Sequence, residues 1–113
     1  MSTRANIIVT DLNGKSVQYY HHHDGYPTYM GKMLETFATA ATFMPGSEDE
    51  AFKKLLDMEK SFELEENAIH SDIEYCWYVQ FKHDEIIVSY TKVEHGEEVE
   101  DLLQCVEGFT IYA

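Results

Sequence analysis

The chain has 113 residues, with 21 acidic against 8 basic side chains, a formal net charge of −13 and a pI near 4.6. A chain this acidic is repelled by phosphate backbones, which argues against direct nucleic-acid binding. Hydrophobic residues at 44% and aromatics at 13% exclude general disorder, and the length fits one domain with a modest core. No apolar run approaches the ~20 residues of a membrane span, and Met1 to Leu12 holds no continuous apolar h-region of a signal peptide, so a cytoplasmic protein is expected. Cys76 and Cys105 make no disulfide framework and read as reduced packing thiols.

In chain order, residues 4–12 are rich in β-branched side chains and residues 15–22 alternate, with Asn13-Gly14 between them as a hairpin signal. A two-residue loop pairs Leu12 with Lys15, Thr10 with Val17, Ile8 with Tyr19, Asn6 with His21 and Arg4 with His23. Asp24-Gly25-Tyr26-Pro27 reads as a corner, because Asp and Gly tolerate turn geometry and Pro pushes Tyr26 away from the helical region. A helix starting near Thr28 carries Met30, Met33, Leu34, Phe37, Ala41 and Met44 as its stripe and ends near Pro45-Gly46. Ser47 followed by Glu50 forms a capping-box pattern for a second helix, with Ala51, Leu55, Met58 and Phe62 on one side.

From Phe62 to Asp72 no period is clear. Ile73, Tyr75, Trp77, Val79 and Phe81 then alternate with more polar residues and predict a strand. Residues 85–93 predict its return, residues 97–106 a short helix, and residues 109–112 a last strand. The order predicts an α+β domain: an antiparallel sheet of about four or five strands, with two or three helices on one face.

Titratable and aromatic groups concentrate in Tyr19 to Gly31, YYHHHDGYPTYMG. The ligand-pocket candidates are Arg4, His21, His22, His23, Asp24 and Tyr26. Arg4 with His23 and Asp24 could hold an anion on its planar fork, and a histidine could act as a general base. Strand alternation sends His21 and His23 to one face and His22 with Asp24 to the other, so no metal site or other cofactor is expected. No glycine-rich phosphate loop or nucleophile elbow occurs, so the sequence points away from an enzyme. An N-terminal Ser2 nucleophile would need removal of Met1.

The acids cluster. Residues 47–66 hold eight acids against three lysines, and residues 94–107 hold six with no Lys or Arg. Glu48, Asp49, Glu50, Glu97, Glu98, Glu100 and Asp101 are candidates for contact with a partner.

The opening Ser2-Thr3-Arg4, then Tyr20-x-His22-x-Asp24-Gly25-Tyr26-Pro27 and Gly31, resembles a group of small uncharacterised phage and prophage proteins. These open with STR or GTR and carry a YxHWDGYP-like corner. Here His23 stands where Trp is frequent, and relatives opening with Gly lack any Ser2 nucleophile. The resemblance covers about the first thirty-five residues well, with the Glu74-Tyr75-x-x-Tyr78 strand fitting more loosely. It implies a mobile-element origin, action in the host cytoplasm and a structural link between Arg4 and the corner.

The expected function is protein binding, with a host protein of basic surface as partner. One form of it is inhibition of a defence factor by nucleic-acid mimicry, as in anti-CRISPR or anti-restriction proteins. The alternative is a small-ligand or enzymatic domain at the Arg4, histidine and Asp-Gly-Tyr-Pro pocket. A homodimer through an exposed strand or the acidic helices stays open.

Overall fold

An Asn-Gly pair suits a two-residue turn, but a carboxylate just before it can lengthen the loop by bonding backbone amides. That happens here. The computed structural model describes residues 3–22, 24–59, 61–65, 73–94, 97–98 and 107–112. Strands β1 (Ala5–Thr10) and β2 (Ser16–His21) form the antiparallel hairpin. Asp11 N–H donates to the Lys15 carbonyl at 2.8 Å and Gly14 N–H to the Asp11 carbonyl at 3.0 Å. Asp11 Oδ1 accepts from Asn13 N–H at 3.0 Å and Lys15 N–H at 2.9 Å. Gly14 sits at φ +83°, where a side chain would be strained.

The added loop residue shifts the pairing by one. Ala5 faces His21, Asn6 faces Tyr20, Ile7 faces Tyr19, Ile8 faces Gln18, Val9 faces Val17 and Thr10 faces Ser16. The expected pairs of Asn6 with His21, Ile8 with Tyr19, Thr10 with Val17 and Leu12 with Lys15 are thereby corrected, and that of Arg4 with His23 lies outside the described residues. A one-residue slip changes which side chains share a face. Ala5, Ile7 and Val9 now share the core face with Tyr19, and all four are buried.

Helix α1 (Pro27–Thr42) follows the corner, with Pro in its first turn where a missing N–H costs nothing. It buries Met30, Gly31, Leu34, Ala38 and Ala41, with Met33, Phe37 and Met44 packed against the core, much as the stripe predicts. Helix α2 (Glu48–Met58) buries Ala51, Phe52 and Leu56, whereas Met58 is 74% exposed. Ala51 and the partly buried Leu55 pack on the core as predicted, but Phe52 and Leu56 rather than Met58 complete the inward face, and Phe62 lies in the next strand. Ser47 is the N-cap residue, but its side chain makes no cap hydrogen bond, so the predicted capping box does not form.

The remaining strands are β3 (Phe62–Glu65), β4 (Tyr75–Phe81), β5 (Glu85–Glu94), β6 (Glu97–Glu98) and β7 (Glu107–Tyr112). The sheet runs β3-β2-β1-β4-β5, and both β6 and β7 pair with β5. The architecture is α+β, with both helices packed on the sheet. One seam differs from the antiparallel expectation. β3 takes the free edge of β2, and β4 joins the other edge of β1 in parallel, giving a mixed sheet. Residues 97–98 are strand rather than the start of a helix, and residues 99–106 of that predicted helix lie outside the described ones.

The core between helices and sheet centres on Trp77, Tyr19, Phe52, Ile7, Met30 and Leu34. Burial at about 25 cal/mol per Å² of apolar surface makes this layer the main source of stability. The other face of the sheet carries a smaller cluster of Tyr20, Ile73, Cys76 and Val93. No helix among the described residues is long and apolar enough to cross a membrane.

Candidate functional site

At the Asp-Gly-Tyr-Pro corner, Asp24 has φ +57°, a left-handed conformation that Asp tolerates better than most residues. Gly25 comes against the start of β1. Its N–H donates to the Thr3 carbonyl at 2.9 Å, and a Cβ placed on it would stand 2.5 Å from Ala5 Cβ and 3.0 Å from the Thr3 oxygen. The Gly25 carbonyl accepts the Trp77 indole N–H from β4 at 2.9 Å in a buried bond. Trp77 in turn lies against Tyr90 with ring centroids 4.6 Å apart. Glycine is therefore required here by close approach, and the corner is clamped between two strands.

The predicted pocket residues around this corner separate. His21 is 2% exposed and rests against the Phe62 ring at 4.6 Å. His22 is exposed, lies edge-on to Tyr20 at 4.7 Å, and places Nε2 at 3.3 Å from Glu63 Oε1. His23 lies outside the described residues. Arg4 is exposed, and its carbonyl accepts the Glu74 N–H at 2.8 Å. Tyr26 is the N-cap residue of α1, and its ring is 6.2 Å from that of Tyr29. The link between the N-terminal segment and the corner runs through Thr3 and Ala5. Among the described residues no group of three or more His, Cys, Asp or Glu is placed to hold a metal.

The acidic candidates also divide. Asp49 is 5% exposed and faces the hairpin loop, where Oδ2 accepts Leu12 N–H at 3.0 Å and Oδ1 accepts Glu50 N–H at 2.8 Å. It is an internal tether, which corrects its place on a contact surface. Burial alone would raise its carboxyl. The hydrogen bonds from Leu12, Ser47 and Glu50 and the Lys53 charge outweigh that and hold it below the ordinary 3.8. A depressed folded value means that this tether's stability is present above the unfolded value of 3.8 and is lost as pH falls through the lower folded one. Asp49→Ala should cost about 1–3 kcal/mol at neutral pH by leaving the Leu12 N–H without its acceptor. Asp49→Asn should flatten the acid limb of the stability profile, read by denaturant titration across that range.

Glu48 is half-buried, while Glu50 is exposed and 3.6 Å from Lys53, which also stands 3.7 Å from Asp11. Glu97 and Glu98 form β6 against Val93 and Glu94, and Glu100 and Asp101 lie outside the described residues.

One feature was invisible to sequence reasoning. A cleft of about 670 Å³ opens between α2 and the β2–β3 end of the sheet, lined in part by Val17, Tyr19, Met44, Lys54, Asp57 and Leu64. The Tyr19 hydroxyl donates to Asp57 Oδ1 at 3.2 Å. Burial, then the Asp57 charge, then that hydrogen bond push the Tyr19 hydroxyl well above its ordinary value. It therefore stays a protonated donor and is not an activated nucleophile. Only the pairing of β3 with β2 and the packing of α2 create this cleft, and the two apolar residues of β3 give no period to read. No family model, curated protein or solved structure matches the chain.

Proposed function

We propose that the chain acts by binding a protein with a basic surface. The observation that carries this reading is the excess of uncompensated carboxylates. Glu35, Glu59, Glu74 and Asp84 are exposed and make no ion pair among the described residues, on a chain of net charge −13. The charge field accelerates encounter with a cationic partner and disfavours nucleic acid itself. In its finer form the partner is a host nucleic-acid-binding defence factor, such as a CRISPR effector or restriction enzyme. The carboxylates would stand in for phosphates, and the likeness to phage proteins supports that form. The small-ligand alternative has less support, because His21 and His22 lie on opposite faces and the Gly25 carbonyl is engaged by Trp77.

The test is capture of host nucleic-acid-binding proteins on the immobilised chain. Capture should fall steeply with rising salt, since it is charge-driven. Replacing the exposed Glu35, Glu59, Glu74 and Asp84 together by lysine should remove most of it. Capture indifferent to both salt and charge reversal would sink the reading.

A further inference from the structure

An edge strand leaves one row of backbone N–H and C=O groups without a ladder, and proteins shield such edges with proline, bulges, lysine or a covering element. β3 ends the sheet at this side, and among the described residues no strand pairs with its outer edge. It carries no proline or lysine, reading Phe62-Glu63-Leu64-Glu65. Phe62 is buried at 6%, yet Leu64, two residues on and lining the α2 cleft, is 57% exposed. On the alternate position Glu63 is exposed and, among the described residues, paired with the exposed His22. Asp57 and Glu59 stand exposed just before the strand.

Taken together, these features lead us to infer that the β3 edge and its adjoining cleft dock an extended basic segment of a partner protein, added to the sheet as a further strand. This inference rests on the proposed binding to a basic protein and locates it. Strand addition supplies main-chain hydrogen bonds, and alternate side chains supply specificity. Apolar side chains of the incoming segment cover Leu64 and enter the cleft beside Val17 and Met44. The intervening Lys or Arg side chains meet Glu63 on the opposite face of the sheet. Charge selects the occupant, because a second copy would bring its own Glu63 and neighbouring acids against these. Like charges across a strand pair are destabilising, whereas opposite charges are favourable.

The test uses the full chain, isotopically labelled for NMR and titrated with a synthetic peptide of alternating lysine and valine. A peptide of alternating glutamate and valine serves as control. The lysine peptide should shift the amides of residues 62–65 and slow their hydrogen exchange, and the glutamate peptide should do neither. Leu64→Asp should weaken the lysine peptide by about tenfold or more, as loss of a central anchor does. Leu64 is exposed, so the variant's unchanged melting would attribute the loss to binding. Glu63→Lys should weaken the lysine peptide and admit the glutamate one. If the lysine peptide binds but shifts acids elsewhere and leaves residues 62–65 unchanged, the docking inference is overturned while the reading of a basic partner stands. Absence of any binding by the lysine peptide overturns both. Self-association through the same amides would also overturn the assignment of a basic occupant.

Discussion

Gly25→Ala should destabilise the protein by about 3 kcal/mol or more, because the new methyl has nowhere to go. Its ideal position is 2.5 Å from Ala5 Cβ, an atom fixed to a central strand and unable to rotate away, and 3.0 Å from the Thr3 carbonyl oxygen. Relief requires the corner to move off β1, which lengthens the Gly25–Thr3 hydrogen bond and shifts the carbonyl that Trp77 holds. Denaturant unfolding monitored by tryptophan fluorescence measures the cost. Gly46→Ala provides the comparison, since Gly46 has φ +90° but nothing within 4 Å of the added methyl. It should cost only about 1–2 kcal/mol of left-handed strain. Equal losses at the two sites would contradict the close-approach argument.

The second large effect concerns Trp77, 1% exposed and central to the sheet. Trp77→Ala should cost about 3–5 kcal/mol through the cavity it leaves. Trp77→Phe is the sharper experiment. It keeps an aromatic ring against Tyr90 but leaves the Gly25 carbonyl without its donor, a loss of about 1–3 kcal/mol for an unsatisfied buried group together with some packing. Because Trp77 and Gly25 share one contact, the double variant Gly25→Ala/Trp77→Phe should lose less than the two single losses added. Strict additivity would show that the corner and β4 are not coupled through this bond.

Elements whose cause is local were legible in the sequence. The first hairpin, the corner, α1 with its apolar stripe, and the strands at residues 75–81 and 85–94 all follow from turn chemistry or periodicity. The hairpin register was not, because the deciding bonds come from the Asp11 carboxylate, and nothing in the alternation of β1 reports what that side chain does. Asp49 was misread for a related reason. In the sequence it is one of three consecutive acids, and only the fold shows that the hairpin loop docks on it. On α2 the inward face includes Phe52, which packs on Phe81 at 5.4 Å, a long-range contact that the helical spacing does not report. The turn at the corner was legible from Asp24-Gly25-Tyr26-Pro27. The clamp on Gly25 came from a tryptophan 52 positions away, beyond any local pattern.

The parallel pairing of β1 with β4 has a consequence for the order in which the chain can assemble. Residues 3–65 form their strand pairs among themselves, and residues 73–112 form theirs likewise, both by antiparallel contacts. Among the described residues the two halves share a single strand pairing, Ala5–Thr10 against Tyr75–Gln80. During synthesis the first half emerges with its most apolar strand bare along one edge, and that edge stays open until β4 has been made. Closing the seam joins residues some seventy positions apart, a non-local parallel pairing that should make it the slow step of folding, read by stopped-flow tryptophan fluorescence of refolding. The waiting strand, Ala-Asn-Ile-Ile-Val-Thr, is β-branched and uncharged, so the half-made chain is the form most exposed to aggregation.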